Sequence, residues 1–264
     1  MPHLTLPDST TSLYYEFHGE GEQTLVLLNG ITMTTAAWAW HVPHYTPHFR
    51  VLCLDFRGQG QSSKPDEPAY PLTEQADDLA AALTLLGVAR AHVLGLSYGG
   101  MVAQHFAHRH PTRVARLVLA STLAYSDAAN AAMAASWAAA QAAGGADLRF
   151  TESLPWVFGS AFLAAQQPLL AALRGIAAQH PWSAVERLTA GVLSHDARPW
   201  LAQLTQPTLV LVGNEDRLTP RYQADCLVDM LPDAQLVVLP HVGHASHLEA
   251  LPAFVAETAA FFRG

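Results

Sequence analysis

The sequence is poor in charge, in cysteine and above all in lysine. Only 14 % of its 264 residues are charged, and the net charge at pH 7 is -8 with histidine neutral. Lys64 is the single lysine, and no run of basic residues interrupts the chain. Nucleic acids and anionic membrane surfaces attract basic proteins, so we expect neither as a partner.

The chain has 2 cysteines, Cys53 and Cys226, and neither has a CxxC partner or a metal-ligand spacing. So few thiols in a chain of this length are typical of cytoplasmic proteins, although the sequence leaves a disulfide between them open. No apolar stretch approaches the roughly 20 residues that cross a bilayer. The N-terminal residues lack the charged and then apolar regions of a signal peptide. We therefore expect a soluble, cytoplasmic protein. The sequence makes no prediction of its oligomeric state.

Half of the residues are hydrophobic, which is enough for the core of one large α/β domain. Runs typical of strands alternate with patterns typical of helices. The predicted strands cover residues 13–17, 24–28, 50–54, 91–94, 116–120, 207–212 and 235–239. The predicted helices cover residues 72–86, 219–230 and 252–262, with one more between residues 97 and 110. Strands separated by helices predict a mostly parallel central sheet flanked by helices.

The alternation is interrupted by an alanine-rich segment with scattered large aromatic residues. We name it the cap segment (residues 124–198). Glycine pairs and prolines, such as Gly144-Gly145 and Pro155, divide it into several predicted short helices. The sequence therefore predicts a core of residues 1–123 and 199–264 that carries a helical insertion, residues 124–198.

A G-x-S-x-G pattern occupies residues 95–99 and places Ser97 between a predicted strand and a predicted helix. Strand, sharp turn and helix form the context of a nucleophile elbow, which exposes the serine hydroxyl. The alternative interpretation is a glycine-rich turn without chemistry. We predict that Ser97 is a catalytic nucleophile.

A serine nucleophile needs a base and an acid that orients the base. Asp216 and His244 each follow a predicted strand near the C-terminus. Because the carboxyl ends of parallel strands share one sheet edge, both should approach Ser97. Glu215 is a rival for the acid, and a purely turn-forming Asp216 is a further alternative.

Three histidines, His241, His244 and His247, are spaced three residues apart. This spacing could indicate a metal site, but Pro240 and Gly243 argue against the helix that would align them. We therefore expect no metal, and expect His241 and His247 to lie in a loop or face the cap segment.

The chain resembles the α/β-hydrolase superfamily with a helical cap, or lid, over essentially its full length. The resemblance rests on the elbow, on Asn29-Gly30, on the D-x-R-G-x-G-x-S pattern of residues 55–62, and on the segments around Asp216 and His244. It implies the α/β-hydrolase fold and a catalytic triad of Ser97, Asp216 and His244 in the order of that family.

The resemblance also implies an oxyanion hole and a substrate pocket. The backbone N–H groups of Ile31 and Tyr98 are the expected oxyanion donors. Besides these, the residues expected at the substrate pocket are Asn29, Gly30, Trp137, Trp156 and Phe158. Many relatives have His-Gly where this chain has Asn29-Gly30, which leaves acyl-transfer chemistry open.

The expected function is that of a serine hydrolase, a carboxylesterase acting on a small or medium ester. Lactonase, thioesterase, acyltransferase and C–C bond hydrolase activities use the same triad and stay open, as does a ligand-sensing module with this fold. Gly58 and Gly60 form only part of a phosphate-binding pattern, because Ser63 stands where a third glycine is needed. No cofactor is expected.

Overall fold

One eight-stranded sheet organises the computed structural model, which describes residues 2–7 and 11–264. Its strands are β1 (His3–Thr5), β2 (Ser12–His18), β3 (Thr24–Leu28), β4 (Arg50–Leu54), β5 (Ala91–Leu96), β6 (Val114–Ala120), β7 (Thr208–Gly213) and β8 (Ala234–Leu239). Their spatial order is β1-β2-β4-β3-β5-β6-β7-β8. β2 runs antiparallel to both neighbours and all other pairs are parallel. The predicted mostly parallel sheet is confirmed.

The four helices predicted outside the cap segment are present, together with two short helices, at residues 42–45 and 246–249, that were not predicted. The helices, including those of the cap segment, are α1 (Val42–Tyr45), α2 (Leu72–Leu85), α3 (Tyr98–Arg109), α4 (Ala128–Val157), α5 (Ser160–Ala165), α6 (Gln167–Ala177), α7 (Trp182–Leu193), α8 (Arg221–Met230), α9 (Ser246–Glu249) and α10 (Leu251–Arg263). Short 3₁₀ turns cover Thr35–Trp38, Pro111–Arg113 and Leu201–Gln203.

Alternating residues of each strand enter different hydrophobic clusters on the two faces of the sheet. In β3, Val26 and Leu28 belong to the cluster that includes residues of α2, α3 and α8, whereas Leu25 and Leu27 belong to the cluster that includes residues of α1 and α10. Successive side chains of a strand point to opposite faces, and both faces are covered by helices. This explains why the inner strands are apolar throughout, and it leaves the carboxyl edge of the sheet free for the site.

Four helices, α4 to α7, lie between β6 and β7 within the cap segment. The break predicted at Gly144-Gly145 is present, because both residues have non-helical backbone angles inside α4. The break predicted at Pro155 was wrong, since α4 continues through it to Val157. α4 therefore consists of two helical stretches that meet at Gly144-Gly145, and the cap segment holds several helices, as predicted. The division into core and cap domains stays a prediction.

Both cysteines are unpaired in the structure. Cys53 is fully buried in β4, and Cys226 is partly buried in α8. Within the described residues, no helix combines the length and the apolar character needed to cross a membrane.

Three histidines are buried in the core although imidazole is polar. His41, His92 and His195 are 1 %, 5 % and 2 % exposed. Burial lowers the pKa of each from 6.5 to about 4, because removal of water disfavours the charged imidazolium. Each ring therefore stays neutral in the folded protein at a pH where the unfolded chain binds a proton.

We expect the free energy of unfolding to decrease as the pH falls from about 6.5 towards 4. In this window each buried histidine contributes a loss of up to about 1.4 kcal/mol per pH unit. Above pH 6.5 the ring is neutral in both the folded and the unfolded chain, so this loss is absent. Urea unfolding near pH 7 and near pH 5 tests this for wild type and His41→Gln. Glutamine can keep the hydrogen bond that His41 Nε2 donates to the His247 carbonyl (3.0 Å). The variant should lose less stability on acidification, and an equal loss would contradict the prediction.

Candidate active site

Ser97 stands at a strained turn between β5 and α3. Its φ is 53° and its ψ is -112°. Residues other than glycine rarely adopt such a positive φ. A Cβ on Gly95 would lie 2.4 Å from the carbonyl oxygen of Gly99, and one on Gly99 would lie 2.4 Å from the carbonyl oxygen of Leu28. Both positions therefore need glycine. The turn holds the Ser97 hydroxyl out at the carboxyl edge of the sheet.

The side chains of Ser97, His244 and Asp216 form an uninterrupted chain of hydrogen bonds. Ser97 Oγ lies 2.9 Å from His244 Nε2. His244 Nδ1 lies 3.0 Å from Asp216 Oδ2. With Nδ1 as the donor to the carboxylate, Nε2 is left free to accept the Ser97 proton. Residues that are distant in sequence meet because each follows the end of a parallel strand.

Thr219 completes the surroundings of Asp216 and was missed by sequence reasoning. Its hydroxyl donates to Asp216 Oδ2 at 2.7 Å and lies 3.1 Å from His244 Nδ1. The backbone N–H groups of Leu218 and Thr219 donate to Asp216 Oδ1 at 2.9 and 2.8 Å. These contacts fix the buried carboxylate towards the imidazole. The available signal was a hydroxyl residue three positions after an aspartate, which often forms such a turn.

The rival acid and the neighbouring histidines have other contacts. Glu215 accepts a hydrogen bond from the Ser160 N–H at 2.8 Å. The His241 side chain is 81 % exposed. The His247 ring stacks on His41 with centroids 5.6 Å apart. The expectation that His247 faces a loop or the cap segment was wrong, because its ring packs beside Trp38 against the core. Over residues 2–7 and 11–264, no cluster of His, Cys, Asp or Glu could hold a metal ion.

Ile31 and Tyr98, whose N–H groups are the expected oxyanion donors, line the same cavity as Ser97. Neither N–H group has a hydrogen-bond acceptor within the described part of the chain. Tyr98 is the first residue of α3, where an N–H group has no partner inside the helix. Ile31 follows Gly30 in a turn closed by a bond from Met33 N to the Gly30 carbonyl (3.0 Å). Two free donors beside a serine hydroxyl can stabilise a developing oxyanion.

A cavity of about 370 Å³ opens over Ser97. Ile31, Tyr98 and Thr219 belong to its floor, and residues of α4 and α7 form its wall. Trp137 borders it, as expected. The volume is near the lower limit of pockets for small organic ligands.

Four other residues expected at the pocket do not border this cavity. Trp156 is 41 % exposed on the outside of α4. Phe158 is 5 % exposed and stacks on Phe162 with centroids 5.2 Å apart. Asn29 is fully buried, accepts a hydrogen bond from Trp38 Nε1 at 2.8 Å and donates to Asp55. Asn29 and Gly30 therefore shape the loop behind Ile31 rather than the cavity surface.

The cap segment is bonded directly to the loop that carries His244. The Val157 carbonyl accepts hydrogen bonds from the N–H groups of His244 (2.8 Å) and Ala245 (3.1 Å). Glu249 Oε2 accepts from the N–H groups of Gly159 and Gly243, both at 3.0 Å. Burial raises the pKa of Glu249. The end of α4 therefore fixes the position of the His244 backbone.

The fold and this arrangement define a class of protein. The sequence model of the alpha/beta hydrolase fold matches residues 23–251. The chain belongs to the α/β hydrolase fold family.

Three similar proteins are hydrolases by name. The chain is 30 % identical over 240 residues to the putative carbamate hydrolase RutD of Stutzerimonas stutzeri, covering 89 % of this chain and 90 % of that protein. It is 31 % identical over 260 residues to the pimeloyl-[acyl-carrier protein] methyl ester esterase of Pectobacterium atrosepticum, covering 95 % and 98 %. The crystal structure of the enol-lactonase from Burkholderia xenovorans superposes with a TM-score of 0.92 at 26 % identity, covering 100 % of both chains.

Proposed function

We propose that this chain is a serine hydrolase that cleaves a small or medium carboxylic ester through a covalent acyl-enzyme. The observation that carries the proposal is the hydrogen-bond chain from Ser97 through His244 to Asp216 at the floor of the cavity. The names of the relatives, which include an ester hydrolase and a lactone hydrolase, support it. The cap segment acts as the lid that decides which substrates fit.

In the first half of the reaction, Ser97 Oγ bonds to the ester carbonyl carbon while its proton moves to His244 Nε2. The carbonyl oxygen takes up the negative charge and accepts hydrogen bonds from the N–H groups of Ile31 and Tyr98. Asp216 stabilises the imidazolium through His244 Nδ1. The intermediate then expels the alkoxide, which takes the proton from Nε2 and leaves as the alcohol.

In the second half, water replaces the alcohol. His244 Nε2 removes a proton from the water as the oxygen attacks the acyl-enzyme. The second tetrahedral intermediate uses the same two N–H groups. Its collapse releases the carboxylic acid and returns the proton to Ser97 Oγ. All groups used in this half are in place after the first, so no cofactor is needed.

A turnover panel tests the proposal. We expect 4-nitrophenyl acetate and butyrate to give a rapid release of nitrophenol followed by steady turnover, as an acyl-enzyme requires. Alkyl thioesters and lactones of similar size extend the panel to the competing acyl-transfer activities. Turnover of thioesters or lactones without any ester hydrolysis would overturn the ester assignment. Stoichiometric binding without turnover of any substrate would indicate a ligand sensor instead.

A further inference from the structure

Arg149, on α4, is a partly buried cation without a counterion. Its guanidinium carbon lies 3.8 Å from the ring centroid of Trp137 and 5.5 Å from that of Trp182. In the part of the chain that the structure describes, it has neither an ion pair nor a hydrogen-bond acceptor. Burial lowers its pKa to about 10, so the side chain is still positively charged at neutral pH. Stacking on two indole rings fixes the guanidinium plane but leaves its N–H groups unused.

The two indole rings add further unused donors at the same place. Trp137 Nε1 and Trp182 Nε1 are buried and have no hydrogen-bond partner among the described residues. Both tryptophans and Arg149 border the cavity over Ser97. Arginine and tryptophan side chains can only donate hydrogen bonds. One wall of the cavity therefore carries an unpaired positive charge beside two indole rings, and this arrangement is complementary to an anion.

Two nearby side chains do not supply that acceptor. Glu186 borders the cavity but is exposed and forms no ion pair with Arg149 in the described structure. Gln141 also borders the cavity, and its buried Oε1 has no partner. Its amide can turn to present the NH₂ group as a further donor. The protein itself therefore leaves the positive charge of this wall without a partner.

The cation and the reacting serine are on different parts of the cavity surface. Ser97 stands at the carboxyl edge of the sheet, Arg149 stands on α4, and both line the cavity. Apolar side chains such as Met133, Ala134 and Val185 line the space with them. A molecule that fills this space would place a polar, reactive group at the floor, an apolar middle along the side chains and an anion at the wall.

We propose that Arg149, Trp137 and Trp182 bind a carboxylate of the substrate, so that the preferred substrates are esters or lactones with a free carboxylate beyond a short aliphatic chain. This inference rests on the proposed function for the reaction itself. It goes beyond it by assigning an anion site and a charge to the substrate. Arg149 binds and orients the substrate and takes no part in bond making.

The first experiment compares hydrolysis of monomethyl and dimethyl esters of the same aliphatic diacids, from succinate to suberate, in a pH-stat. Wild type should prefer the best monomethyl ester over its dimethyl counterpart. Arg149→Met should lower kcat/KM for that monoester about 10- to 100-fold, mainly through KM, and change the dimethyl ester little. Arg149→Lys should keep part of the preference. Arg174→Met is the matched control, because Arg174 is another cap-segment arginine but pairs with Asp147 on the surface (3.2 Å).

A second series distinguishes the two places that the carboxylate can occupy. Acetate esters of ω-hydroxy acids carry it on the alcohol, whereas the monomethyl esters of diacids in the first series carry it on the acyl chain. The series that shows the Arg149-dependent preference tells whether the alcohol part or the acyl part of the substrate carries the carboxylate. If wild type treats charged and neutral esters alike in both series, or if Arg149→Met leaves the preference intact, the proposal is overturned.

Binding without turnover separates this proposal from the proposed function. Titration of Ser97→Ala with the same monoesters should quench the tryptophan fluorescence, since two tryptophans flank the site, and the added Arg149→Met change should abolish the effect. Arg149-dependent binding without hydrolysis by wild type would refute the hydrolase function and keep the anion site. Hydrolysis with Arg149-independent binding would refute the anion site and keep the hydrolase.

Discussion

Ser97→Ala should leave the fold intact and lower kcat on any ester substrate at least roughly a thousandfold. The covalent route disappears with the hydroxyl, while the two N–H donors and the cavity persist and support a small residual rate. The smaller side chain also removes no packing contact that the elbow needs. Steady-state kinetics at saturating ester, together with urea unfolding of the variant, checks the prediction.

Covalent labelling provides the control for this variant. A fluorophosphonate should label wild type at Ser97 and leave Ser97→Ala unlabelled. Ser121 and Ser246 are the informative comparison, because their hydroxyls lie 2.9 Å apart in a buried pair behind the site. Labelling of either of them, or full activity of Ser97→Ala, would refute the assignment of the nucleophile.

Ile31→Pro should lower kcat by roughly two to three orders of magnitude, because it removes one N–H donor to the oxyanion. The loss corresponds to about 3 kcal/mol of transition-state stabilisation. Ile31 is the second residue of the turn that Met33 N closes on the Gly30 carbonyl, and proline fits that position of a turn. The variant is therefore expected to fold, and KM should change much less than kcat.

Ile31→Val is the matched control, since it keeps the N–H group and nearly the same side chain. It should have almost wild-type kcat. Labelling of Ser97 by an activated phosphonate should partly survive in Ile31→Pro, because the nucleophile and its base are untouched. Full kcat in a well-folded Ile31→Pro variant would place the second donor elsewhere.

Local patterns were sufficient for β2 to β8 and for the placement of Ser97, His244 and Asp216, but β1 was not predicted. Each of the three follows a strand, and parallel strands bring their carboxyl ends to one edge, so topology alone predicts their approach. Thr219 could not be singled out in the same way. Its role depends on a turn that folds its hydroxyl back to Asp216, and hydroxyl residues at that spacing are common in turns of every kind.

The cap segment was harder to predict for a physical reason. Trp137 and Trp156 are both on α4, but the break at Gly144-Gly145 lies between them. Helical periodicity relates the faces of residues only along a continuous helix, so the orientation of one tryptophan says nothing about the other. Trp137 faces the cavity and Trp156 faces outwards. Trp137 and Arg149 also lie on opposite sides of this break, so the sequence pattern could not predict their contact.

The bonds from Val157 to the His244 loop limit how this enzyme can diversify. A lid without hydrogen bonds to the catalytic loop could be exchanged between relatives as an independent module. Here the last turn of α4 also supplies the acceptor for two N–H groups next to the base, and Gly159 is tied to Glu249. New specificities should therefore arise by changes on either side of this joint, among the α4 and α7 residues that line the cavity, while residues 157–160 behave as a constant joint. A mutant library aimed at new substrates would be built most safely with that joint unchanged.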